Sequence, residues 1–114
     1  MADRAIRIFS TLAAGATDTT DSAVIPNGRK LTVTKFGAGD INLGDNKSTA
    51  YLLQWGTVGS FIELAALAFT GSTDELPVDV TVVGNGAKFL RITRQNNSAS
   101  AKRCPVWIKG YDNA

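Results

Sequence analysis

The stretch that decides the fold is Pro26-Asn27-Gly28-Arg29-Lys30-Leu31-Thr32-Val33-Thr34-Lys35-Phe36-Gly37. Pro26 presets φ and Asn27-Gly28 tolerates positive φ, so the segment opens on a tight turn. Over residues 29–36 the side chains then alternate, with Leu31 and Val33 facing one way and Thr32 and Thr34 the other. A period of two predicts a strand with one face in a core. The same signature recurs outward from this point. Residues 51–55 put Tyr51, Leu53 and Trp55 on one face. Residues 77–83 put Val78, Val80 and Val82 on one face, with Asp79 and Thr81 opposite. Residues 88–94 turn Leu90 and Ile92 inward and Arg91, Thr93 and Arg94 largely outward, and residues 106–111 give a last strand. Between two of these, Gly84-Asn85-Gly86 carries the Asn-Gly signature of a hairpin. The shared core is expected to hold Leu31, Val33, Leu53, Val80, Val82, Leu90, Ile92 and Ile108.

Two segments are less direct. Residues 61–69 are apolar on both faces and bracketed by Gly59 and Gly71. They predict a buried strand, with a short helix as the alternative because Glu63, Leu64, Ala65, Ala66, Leu67 and Ala68 are helix formers. Near the N-terminus, residues 5–12 alternate around Ile6 and Ile8. The small and polar run 13–22 follows and reads as a loop or extended arm. The chain is thus expected to divide into an N-terminal strand or arm, 1–24, and a β-sandwich, 25–114, within one domain. The alternative is that residues 5–9 complete their own sheet as an edge strand. Seven to eight short strands, with no helical segment long enough for a parallel crossover, predict an all-β antiparallel sandwich. A jelly roll is one standard arrangement of eight strands.

Composition narrows the chemistry. The chain has 114 residues, of which 44% are hydrophobic and 19% charged. This is enough for one core without staples, and fewer charges than the ~25% usual for a globular domain. Spare apolar surface points to an oligomer or a docked subunit. The net charge of +2 is too small for a dedicated nucleic-acid binder. Arg91, Arg94, Lys102, Arg103 and Lys109 are interrupted by Asn96, Asn97 and Ser98 and form no basic block. No apolar run is long enough to span a membrane. The early residues Asp3, Arg4 and Arg7 argue against a secretion signal.

With no histidine in the sequence, Ser-His-Asp and Cys-His nucleophilic sets are excluded, and the commonest metal ligand is missing. Cys104, the single cysteine, cannot form an internal disulfide and is expected to be buried. Glu63, in the most apolar stretch, would have a raised pKa if buried; as an interface or edge residue it would not. The run Asp40-Ile41-Asn42-Leu43-Gly44-Asp45-Asn46 departs from a calcium loop. Its glycine is one position early, and Tyr51 stands where the bidentate Glu is needed. No enzyme activity, metal or cofactor is expected. Trp107, Lys109 and Tyr111 share an apparent face and, with Arg91 and Arg94, are candidate surface-binding residues. Ile6, Ile8, Phe9, Phe61 and Phe69 are candidate assembly contacts.

Three blocks taken together resemble small bacteriophage structural proteins of the jelly-roll type, which cement or decorate phage heads. They are Ile25-Pro26-Asn27-Gly28-Arg29-Lys30-Leu31-Thr32-Val33-Thr34-Lys35-Phe36-Gly37, then Tyr51-Leu52-Leu53-Gln54-Trp55-Gly56. The third is Val83-Gly84-Asn85-Gly86-Ala87-Lys88-Phe89-Leu90-Arg91-Ile92-Thr93-Arg94-Gln95-Asn96-Asn97, followed by Trp107-Ile108-Lys109-Gly110-Tyr111. The resemblance leaves the first 24 residues uncovered. It implies a virion protein assembled in the host cytoplasm, a homo-oligomer with a trimer favoured, and a major capsid protein as partner. The alternative is a receptor- or carbohydrate-binding module of a phage tail or neck, with a glycan as ligand.

Overall fold

The alternating stretch after the Pro26-Asn27-Gly28 turn forms a nine-residue strand, β4 (Lys30–Ala38), in the computed structural model, which describes residues 2–8, 10–39, 49–69 and 74–113. The turn itself closes through Arg29 N–H donating to the Pro26 carbonyl at 3.1 Å. Around β4 the described residues form nine further strands and no helix: β1 (Ala2–Ile8), β2 (Thr11–Leu12), β3 (Thr17–Asp21), β5 (Thr49–Gly56), β6 (Ile62–Phe69), β7 (Asp74–Val83), β8 (Phe89–Asn96), β9 (Lys102–Arg103) and β10 (Val106–Asn113). Two four-stranded antiparallel sheets carry the fold, in the orders β1-β10-β4-β7 and β3-β8-β5-β6. A two-stranded ladder, β2-β9, lies apart from both.

The order has one simple origin. Each strand pairs antiparallel with the strand equally far from the other end of the chain: β5 with β6, β4 with β7, β3 with β8, β2 with β9 and β1 with β10. This is one long hairpin, turning where Ser60 N–H bonds the Thr57 carbonyl at 2.9 Å. Rolled up, it adds two further ladders, β10-β4 and β5-β8, which complete the sheets. The fold is a jelly roll.

Period-two alternation sets what lies between the sheets. Leu31, Val33 and Phe36 from β4, Leu53 from β5, Leu90 and Ile92 from β8, and Val106 and Ile108 from β10 are each at most 4% exposed. Burying each such side chain stabilises the fold by roughly 1.5–3 kcal/mol. Val82 joins them, while Val80 is half-buried and packs against the cluster. Cys104 is buried as expected.

Four expectations are corrected. The 13–22 run is not simply loop: Thr17–Asp21 is a strand, held along β8 by side chains described below. Residues 2–8 do not stand off as an arm but pair with β10 from Ala2↔Asp112 to Ile8↔Val106, as an edge strand of the chain's own sheet. Gly84-Asn85-Gly86 does not close a hairpin, because β7 and β8 belong to different sheets. The segment instead crosses between them. It is tied to the 25–29 turn by Gly84 N–H to the Arg29 carbonyl at 2.8 Å and Gly86 N–H to the Ile25 carbonyl at 3.1 Å. Residues 61–69 form a strand, not the alternative helix, but β6 is an edge strand rather than a buried one. The 40–46 loop weighed as a calcium site lies outside the described residues.

Candidate functional site

The two sheets turn very different outer faces to their surroundings. On β1-β10-β4-β7 the outward side chains fall into cross-strand rows. Arg7, Trp107, Gly37 and Glu75 form one row, and Ala5, Lys109, Lys35 and Pro77 the next. A third holds Tyr111, Thr32 and Thr81, the two threonine hydroxyls 2.8 Å apart. Lys109 and Lys35 stand directly opposite, a repulsive pairing that Glu75 relieves by bridging Lys109 at 3.1 Å and Lys35 at 3.5 Å. The same carboxylate accepts the Trp107 Nε1–H at 2.7 Å. The Trp107 hydrogen bond, then those two lysines, hold the Glu75 carboxyl below its ordinary value. The Trp107 ring lies across Gly37, at a place where any Cβ would collide with it. One ring face and the indole N–H of Trp107 are therefore already engaged within the chain.

The outer face of β3-β8-β5-β6 is built differently. At one end, Asp21, Arg91, Gln54 and Glu63 form a charged row. Asp21 takes the Arg91 guanidinium bidentately, at 2.7 and 2.9 Å. Those bonds keep the Asp21 pKa below normal. The guanidinium also sits 4.7 Å from the Phe61 ring centre, and Phe61 meets Phe89 edge-on at 5.5 Å. The next rows carry no charge: Thr19, Thr93, Leu52 and Ala66, then Thr17, Gln95 and Ala50. These uncharged side chains are less costly to strip of water on docking than the charged groups of the other face.

Where β2-β9 spans the corner between the sheets, the interior is polar. Arg94, 1% exposed, donates Nε to Asp18 at 2.9 Å, Nη1 to the Ser10 and Cys104 carbonyls at 2.8 and 3.0 Å, and Nη2 to the Ser10 hydroxyl at 3.0 Å. The hydrogen bonds to Asp18 raise its pKa further, so it stays charged. Asn96, also buried, donates Nδ2 to the Leu12 and Ser100 carbonyls at 3.0 Å and accepts the Ser98 N–H at 3.0 Å. These two side chains satisfy the carbonyls of the connections that change sheets, which strand ladders cannot reach.

The candidate residues sort accordingly. Trp107, Lys109 and Tyr111 do share the outward face of β10. Arg91 is outward but engaged by Asp21. Arg94 as a surface-binding residue is a correction: its position, two residues beyond Ile92, points it inward. Ile6 and Ile8 pack against the chain's own core. Phe61 is half-buried against Phe89 and Arg91, whereas Phe9 and the side chain of Phe69 lie outside what the structure describes. Glu63 is exposed on β6. The sequence reading missed Asp18, Asp21 and Asn96. A signal was present: Asp18 and Asp21 are spaced as Arg91 and Arg94 are, and antiparallel pairing matches both. Three residues along a strand changes face, so one ion pair is outside and the other inside.

No protein-family model and no curated protein matches the chain. Among solved structures it is similar to the Drosophila NLP core, at 18% identity over 100% of both chains and a TM-score of 0.53. That structure is described as giving insight into pentamer formation and histone binding. The likeness is one of fold. Infectious bursal disease virus, Gt strain, gives 12% identity and a TM-score of 0.48 over 96% of this chain and 30% of that one. A pentameric capsid protein from metagenomic phage sequences gives 17% and 0.47, over 94% of this chain and 60% of that one. Among the described residues there is no cluster of three or more acidic or cysteine side chains able to hold a metal ion.

Proposed function

We propose that the protein is a structural subunit of a bacteriophage particle, a decoration or cement protein that docks on a head and bridges neighbouring shell proteins. The observation that carries this reading is the contrast between the two outer faces. The uncharged rows of β3-β8-β5-β6 suit burial against a protein partner, and the charged face of β1-β10-β4-β7 suits water. The resemblance of the three sequence blocks to phage head-decorating proteins supports the same reading. The partner is a major capsid protein, and the subunit acts as a homo-oligomer, with a trimer favoured by that resemblance. Docking many copies at about 25 cal/mol per Å² of apolar area buried would let the shell resist internal pressure collectively.

The test is cosedimentation of the purified protein with emptied heads of its own phage. The expected result is saturable binding at a fixed ratio to the shell protein. The rival reading, a glycan-binding module of a tail or neck, rests on outward Trp107 and Tyr111. Binding to host-surface glycans together with no binding to heads would replace the proposal with that one.

A further inference from the structure

An apolar cavity of about 140 Å³ lies between the sheets, walled by Ile6, Ile25, Leu31, Val33, Leu90 and Ile108. Exposed Ala5 and Ala23, also in its lining, mark its mouth between β1 and the β3–β4 connection. Two features keep it from being filled by the chain itself. Gly110 contributes to the wall, and a side chain there would collide with the Thr32 carbonyl, so the position stays bare. At the mouth the chain supplies the small residues Ala5, Ser22 and Ala23, and Lys109, also in the lining, carries its ammonium to Glu75 at 3.1 Å.

We propose that this cavity is a binding site for a small apolar molecule of about the size of one aromatic ring. The volume is close to that of an engineered apolar protein cavity, about 150 Å³, that stays dry and takes up benzene. The polar inventory points the same way. The one hydroxyl in the lining, Ser22 Oγ, accepts the Leu90 N–H at 2.9 Å and donates to the Ala23 carbonyl at 2.9 Å. Its donor is engaged, and one of its lone pairs is taken. An apolar guest therefore displaces little bound water and leaves no buried polar group unpaired, whereas a sugar or a charged ligand would lose its hydration without replacement. The lining shares no residue with the uncharged rows of β3-β8-β5-β6, and the site does not depend on the docking proposal.

The experiment uses benzene as the probe and the full chain as the protein. Melting temperature is followed as benzene is raised in sealed cells, with cyclohexanol as a polar control of similar size. The expected result is a concentration-dependent rise of several degrees with benzene and a much smaller one with the alcohol, because a ligand bound only by the native state stabilises it. Val33→Phe places a ring in the cavity from its own wall. It is expected to abolish the benzene shift, and xenon-pressurised crystals of the wild type are expected to show density among Ile25, Leu90 and Ile108. Absence of any benzene shift in the wild type would overturn the proposal. So would xenon density elsewhere only, or a Val33→Phe variant that folds and keeps the full shift.

Discussion

Arg94 ties three parts of the chain together through one buried side chain. One guanidinium joins β8 to Asp18 on β3, to Ser10 beyond β1 and to the carbonyl of Cys104 before β10. Truncating it strands the Ser10 and Cys104 carbonyls, while Asp18, whose side chain is 38% exposed, can turn to water; leaving buried acceptors unpaired costs about 1–3 kcal/mol. Arg94→Ala should therefore lose about that much in urea unfolding. Arg94→Lys should recover little, because an ammonium cannot span the same directions. A loss under about 0.5 kcal/mol would mean the corner is held by the backbone alone. Leu90→Ala tests the apolar part of the same strand and should cost about 2–5 kcal/mol. The alternation of Leu90 and Ile92 was readable in the sequence. Arg94 was misread because charge outweighed position: the pattern that turned its neighbours inward applied to it as well.

At the scale of elements, β4 and β10 were legible because their apolar periodicity is strong, and β3 was not because Thr-Asp-Thr-Thr-Asp has none. That strand exists through partners some 70 residues away, Arg91 and Arg94, which no local window contains. The edge strand β7 shows how an exposed edge is kept from pairing further. It contains Pro77, and Asp79 takes φ 50° where the β4–β7 register shifts. Both devices spoil an edge as a template. On the charged face, Glu75 links β7 to β10 and β4, and its depressed pKa fixes the pH response. Glu75 adds stability above its unfolded value near 4.5, and that contribution is lost as pH falls through the lower folded value. Wild type should therefore lose more stability than Glu75→Gln between about pH 6 and pH 3, read as the difference in urea midpoints. Equal losses would show that the bridge carries no linkage. Gly37→Ala should push the Trp107 ring off β4, breaking its bond to Glu75 at a cost of about 1–3 kcal/mol. In a Trp55→Phe background the fluorescence should move to the red; an unmoved spectrum would mean the ring does not lie across Gly37.

At the scale of the whole molecule, the nested hairpin makes the N-terminus part of the core rather than an appendage. Deleting residues 1–18 removes β1, β2 and Asp18 together, so the truncated chain should lose its near-ultraviolet signal and cooperative melting. A truncated sandwich with near-normal melting would return the segment to the role of an arm. The sandwich class was legible from strand spacing, but the pairing of β1 with β10 was not, since local alternation does not specify which strands meet. The two outer faces were half legible: Trp107, Lys109 and Tyr111 announced the one built on β10. The uncharged rows appear only when β3, β8, β5 and β6 are set side by side. Head binding by two variants tests the central claim most directly. Leu52→Lys puts a charge in the middle of the uncharged rows, and Lys109→Glu reverses one on the opposite face. With both folded and titrated onto emptied heads, the account predicts at least a tenfold loss of affinity for Leu52→Lys, about 1.4 kcal/mol, and near-wild-type binding for Lys109→Glu. Undiminished binding by Leu52→Lys, with loss confined to Lys109→Glu, would contradict it.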